Sequence, residues 1–128
     1  MAVTSEIKTK LGGATADIPI VQSFYQLYMS FHEQLKQFPK AERYTLGSTL
    51  QSQLLMAFEA VLTAASTTET ATKLRELQVV SAKVDLLRVL IRLAKDCKCL
   101  SNQAYLELES NLHEIGRMLG GWMKSLKN

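Results

Sequence analysis

Cys97 and Cys99 are the only thiols in this chain, and they stand two residues apart. That spacing is too short for an ordinary disulfide staple. A zinc site would need two further ligands, and the two histidines, His32 and His113, each stand alone in the sequence. The cysteines therefore read as small thiols at a helix end, and reduced thiols suit a cytosolic protein. Paired carboxylates fare no better as catalysts. Glu107 and Glu109 are two apart on a helix, so their side chains diverge. His113-Glu114 reverses the Glu-x-x-His order that supplies di-iron ligands, and no second copy occurs. Gly12-Gly13 lacks the strand–turn–helix setting of a phosphate loop. No enzyme chemistry, metal or cofactor is expected.

The cations offer more. Arg88, Arg92 and Lys95 fall within about a 60° arc of a helix wheel, and Arg117 and Lys124 lie seven apart on a later helix. A row of cations at one-turn spacing can track phosphates, each contact releasing counterions. Local pairing is the alternative: Asp85 precedes Arg88 by three, Asp96 follows Arg92 by four, and Glu114 precedes Arg117 by three. Such pairs solvate a helix face and contribute only about 0.2–0.5 kcal/mol each. On spacing alone the solvated face is favoured. The net charge of +3 and pI near 8.9 fit an anionic partner without demanding one. Gly116 and Gly120, four apart, are costly in a helix interior by about 1 kcal/mol each. The expected offset is close approach of another backbone along that flank. Trp122 beside them reads as a core anchor rather than a base-stacking platform.

These residues need helices to hold them, and the pattern supplies four. At 128 residues with 47% hydrophobic content the chain makes one domain with a real core. Two prolines and six glycines leave long uninterrupted segments. Residues 1–17, rich in Thr, Ala, Gly and Lys, read as a flexible arm. Asp17 is then a candidate N-cap and Pro19 the first-turn residue of a helix running to about Phe38. Pro39 opens a second helix to about Ala65. Ser66-Thr67-Thr68-Glu69 is a candidate capping box. The third helix spans roughly 69–98 and carries two adjacent apolar stripes. Leu77, Val80, Val84, Leu87, Ile91 and Ala94 form one; Val79, Leu86, Leu90 and Leu93 form the other. A bundle helix needs only a stripe about 100° wide, so the excess predicts either unusually full coverage within the bundle or packing on a second subunit. Ser101 is a natural N-cap for the fourth helix. There Tyr105, Leu108, Leu112, Ile115, Leu119, Trp122 and Leu126 alternate steps of three and four, the seam of a bundle. Short connections make an up-down-up-down antiparallel four-helix bundle. The opening residues show no charged-then-apolar leader, and no run of apolar residues is long enough to span a bilayer. A cytoplasmic protein is expected.

Two segments carry a family resemblance: Leu87-Arg88-Val89-Leu90-Ile91-Arg92-Leu93-Ala94-Lys95-Asp96, and Ile115-Gly116-Arg117-Met118-Leu119-Gly120-Gly121-Trp122. The chain from about 18 to 126 resembles the four-helix-bundle family of accessory variability determinant proteins of diversity-generating retroelements. A sister branch, the bundle proteins encoded in intervening sequences of bacterial 23S ribosomal RNA genes, usually carries an Asn-Ile-Ala-Glu-Gly stretch that is absent here. The resemblance implies a homopentameric barrel without catalytic activity. Its basic surface would engage a reverse transcriptase and its template RNA. Arg88, Arg92 and Arg117 match the family's arginine positions; Lys95 and Lys124 join them only by sharing their faces. Five copies would carry a charge of roughly +15, enough for long-range attraction at low salt. A ribosome-associated bundle and a purely structural oligomer are the rival expectations.

Overall fold

The computed structural model describes residues 18–127, which form helices and no strand. The helices are α1 (Pro19–Leu35), α2, α3 (Thr70–Asp96) and α4 (Asn102–Lys127). α2 runs through Lys40–Glu42, a π-helical turn at Arg43–Gly47, and Ser48–Ser66. Sequence neighbours pack against each other and α4 closes on α1, giving the expected four-helix bundle. No helix among the described residues is long and apolar enough to cross a membrane. The arm over 1–17 and the Asp17 cap lie outside the described residues.

α1 starts with Pro19 in its first turn, where a missing N–H costs nothing. It stops at Leu35, short of the expected Phe38. Gln37 and Phe38 donate their N–H groups to the carbonyls three residues back, at 2.9 and 3.2 Å. The tightening precedes Pro39, which disfavours helical geometry in the residue before it. Phe38 is buried all the same, edge-on to Phe31 with ring centroids 6.0 Å apart.

The π-helical turn has no counterpart in the expected pattern. It brings Gly47 against the end of α1, where a Cβ would stand 2.6 Å from Leu35 Cδ1 and 3.3 Å from Phe38 Cδ2. Arg43 Nη2 reaches back to donate to the Lys36 and Phe38 carbonyls, at 3.3 and 3.4 Å.

The capping box at Ser66 does not form. α2 continues through Ser66, so its hydroxyl donates back to the Thr63 carbonyl at 3.2 Å. The Glu69 N–H turns to Thr67 Oγ1 at 3.4 Å, and the Glu69 carboxylate accepts from the Thr72 hydroxyl at 2.8 Å. The Ser101 cap is present: the Ala104 N–H donates to Ser101 Oγ at 3.0 Å. Before it the chain reverses at Lys98, whose φ of 64° is the left-handed turn geometry that ends many helices. Cys97 is exposed on this turn. Cys99 is buried beneath it, and that burial pushes its thiol pKa up. Among the described residues no group of three or more His, Cys, Asp or Glu side chains could hold a metal ion.

The core takes one of the two stripes of α3. Leu77, Val80, Val84, Leu87, Ile91 and Ala94 are all buried, facing Leu50, Leu54 and Val61 of α2 and Leu108, Leu112, Ile115 and Leu119 of α4. Val79, Leu86 and Leu93 stay exposed, and only Leu90 of that stripe is partly covered. The bundle does not cover its second stripe.

Candidate functional site

The antiparallel packing of α3 on α4 gathers the marked cations onto one side of the molecule. Arg88 and Arg92 border one shallow depression together with Tyr105 and Glu109. Arg88 and Arg117 border the next, a groove of about 420 Å³ between α3 and α4 that Gly116 and Gly120 also line. Arg88 therefore joins the two depressions into one continuous surface. Lys124, two turns beyond Arg117, is exposed further along α4.

Each arginine on this surface meets a carboxylate. Arg92 pairs with Asp96 at 3.4 Å, and Arg117 donates through Nε to Glu114 at 3.1 Å and through Nη2 to the same carboxylate. Both are the pairs expected from sequence spacing. Arg88 is different. Its expected partner Asp85 is not the one it takes; it crosses to α4, with Nη2 at 2.6 Å and Nε at 2.9 Å from Glu109 Oε1. The inter-helix register places Glu109 directly opposite, and one carboxylate oxygen accepts from both guanidinium nitrogens. Lys95 is not a free cation either. It is half-buried, with Nζ 4.9 Å from the centre of the Tyr105 ring, a cation–π distance.

These contacts set the charge states. Hydrogen bonding from Arg117 holds the Glu114 carboxyl below its usual range, and the same bond raises the Arg117 pKa. For Arg92 the largest cause is its hydrogen bond with Tyr105, followed by the charge of Asp96; both raise its pKa. The surface is a set of fixed guanidinium–carboxylate couples. An exposed couple of this kind contributes little to stability, so a phosphate could replace its carboxylate without unfolding anything. Arginine suits that exchange, because its planar fork binds carboxylate and phosphate in the same two-point geometry.

Gly116 and Gly120 do not do what their spacing promised inside the subunit. Among the described residues, nothing outside their own helix lies within 4 Å of where a Cβ would stand on either one. α3 keeps its distance here, and the missing side chains leave the groove open between Arg88 and Arg117. Trp122 packs partly buried at the edge of the core, as expected of an anchor. Lys73 of α3 lies over it, Nζ 5.8 Å from the ring centre.

Glu109, Tyr105 and His113 enter this surface without having been marked as part of it. All but Tyr105 lie off the apolar seam, and what brings them in is the pairing of α3 with α4, which intra-helical spacing does not encode. A sequence model of the bAvd-like family matches residues 18–126. No curated protein matches the chain.

Proposed function

This chain belongs to the bAvd-like family, and on that premise we propose that it is a non-catalytic accessory protein of a diversity-generating retroelement. In this reading a homo-oligomer, a pentamer by the family resemblance, holds the element's reverse transcriptase and template RNA against the α3–α4 face. The observation that carries the reading is the convergence of Arg88, Arg92 and Arg117 from two helices onto one continuous surface with an open, glycine-lined groove. Lys95 and Lys124 extend the same surface at its two ends. The uncovered stripe of Val79, Leu86 and Leu93 supports the oligomer.

A second reading has its own observation. All three arginines are already matched by carboxylates, which favours a structural oligomer whose arginines are merely solvated. Changing Arg88, Arg92 and Arg117 together to alanine separates the two. The fold should survive, because all three side chains are exposed. For the accessory reading, RNA affinity should fall at least tenfold and its salt dependence should flatten by up to three counterions' worth of slope. If the arginines dock the reverse transcriptase instead, affinity for the enzyme should fall while affinity for free RNA survives. Unchanged affinity for both, with helicity and oligomer size intact, establishes the solvated face. A reverse transcriptase gene beside this one would favour the retroelement over a ribosomal role.

A further inference from the structure

The end of the bundle where α1 begins and α4 ends carries a third depression, distinct from the glycine-lined groove and larger, at about 510 Å³. Its wall is apolar: Ile20 from the first turn of α1, and Met118 and Trp122 from α4. Gly121 opens its mouth, with nothing among the described residues within 4 Å of where its Cβ would stand. Two cations stand at the rim, Lys73 and Arg117, and among the described residues no acidic one lines it. Arg117 shares its charge with Glu114, but among the described residues Lys73 meets no carboxylate. Its Nζ donates to the Ala64 carbonyl at 2.9 Å and rests over the indole. The seat therefore asks for a flat apolar group with negative charge beside it.

We propose that this depression is a subsite for an unpaired nucleotide of single-stranded RNA. The base would lie against Met118 and the part of the Trp122 ring left open at the edge of the core, with Lys73 moving off the indole to meet the adjoining phosphate beside Arg117. Aromatic walls flanked by cations hold single strands with little regard to sequence, because every base offers a π-face to stack and every linkage a phosphate. A duplex keeps its bases stacked on each other and cannot fill an apolar seat, so the subsite selects unpaired RNA. Arg117 lines both depressions, and a strand leaving the seat would pass directly onto the arginine face. The inference rests on the nucleic-acid reading given above.

Trp122 is the only tryptophan in the chain, so its emission reports on this seat alone. The experiment titrates the full chain with fluorescently end-labelled short oligouridylate. RNA binding is read by anisotropy of the label and occupation of the seat by tryptophan emission. A duplex RNA of equal length and a peptide of alternating Leu and Glu serve as the other probes. The subsite predicts that the single strand quenches Trp122 in step with binding, while the duplex binds without quenching. Gly121→Leu puts a side chain into the open mouth without touching the core. It should weaken single-strand binding about five- to 150-fold, the range for losing one stacked base, and leave duplex binding unchanged. RNA that binds with emission unchanged overturns the subsite and leaves the arginine face standing. No RNA binding by anisotropy removes both. Quenching by the acidic peptide and not by RNA assigns the seat to a protein partner. Quenching by RNA that appears only after residues 1–17 are deleted assigns it to the chain's own N-terminal segment. Either result overturns the proposal.

Discussion

Arg88 is held by two contacts to one oxygen of Glu109, while Arg92 and Arg117 are held by acids of their own helices. That difference has a consequence for binding. Rotating Asp96 or Glu114 away from its arginine needs only side-chain motion within one helix. Freeing Arg88 means breaking a contact between α3 and α4 in which Glu109 is the less exposed partner, at 24% against 44%. Glu109→Gln keeps the shape and removes the charge that competes with a phosphate. RNA affinity should rise about two- to tenfold at low salt, and the gain should shrink as salt screens the surface. A Glu109→Gln affinity equal to wild type from low to moderate salt would mean that Arg88 does not contact the nucleic acid. The same residues show how far sequence spacing reaches. Rules of three and four along a helix identify Asp96 and Glu114, because both partners ride on the same turn of the same helix. They point Arg88 to Asp85, because nothing local records which residue of α4 stands opposite.

The helices themselves were legible because each has an apolar period and a stop. The seam of α4 appears in the structure with Leu108, Leu112, Ile115 and Leu119 buried and Tyr105, Trp122 and Leu126 partly so. The ends were less legible, since several residues compete for each cap: Ser66 lost its capping role to a longer α2. Glycines divide sharply by setting. Gly47 is marked by no repeat, yet a Cβ there would collide with Leu35 and crowd Phe38. Gly116 and Gly120 are conspicuous in sequence and face open space. Gly47→Leu should therefore destabilise the bundle by about 1–3 kcal/mol, the range for overpacking. Gly120→Leu should raise its stability by about 0.5–1 kcal/mol through helix propensity. The same leucine would stand in the groove between Arg88 and Arg117, so RNA binding should weaken as the melting temperature rises. Thermal melts paired with binding curves for the two variants check both halves. A lower melting temperature for Gly120→Leu, together with loss of the oligomer, would make the groove a contact between subunits.

At the scale of the whole molecule the question is what covers α3. Its inner stripe is filled by α2 and α4, so Val79, Leu86 and Leu93, three residues at seven-residue spacing, are left in water. Met56 of α2 is exposed beside Val79 at one end of that line, whereas Val89, with 65% of its surface open, borders the depression of Arg88 and Arg92. Exposed apolar residues are ordinary when scattered; here Val79, Leu86 and Leu93 align along one edge of α3, away from Arg88 and Arg92. The sequence could show that α3 carried more apolar surface than one bundle uses, but not which stripe the bundle would take. That choice depends on how the helices pair. A second copy of the chain seated on the stripe would bury it and leave the cations of every subunit free. Heterologous contacts of this kind close into rings when the rotation allows, and five subunits would scatter as a particle of about 70 kDa. Leu86→Glu with Leu93→Glu puts two charges into the proposed contact at positions the bundle core does not use. Light scattering should then fall to the 14.3 kDa of a single chain, with helical circular dichroism unchanged. RNA affinity should drop with it, because a monomer presents one arginine face where a ring presents five and so loses the gain from multiple attachment. A wild-type chain that already scatters as a monomer would refute the ring. A double variant that keeps its full size would place the subunit contact on some face other than this stripe.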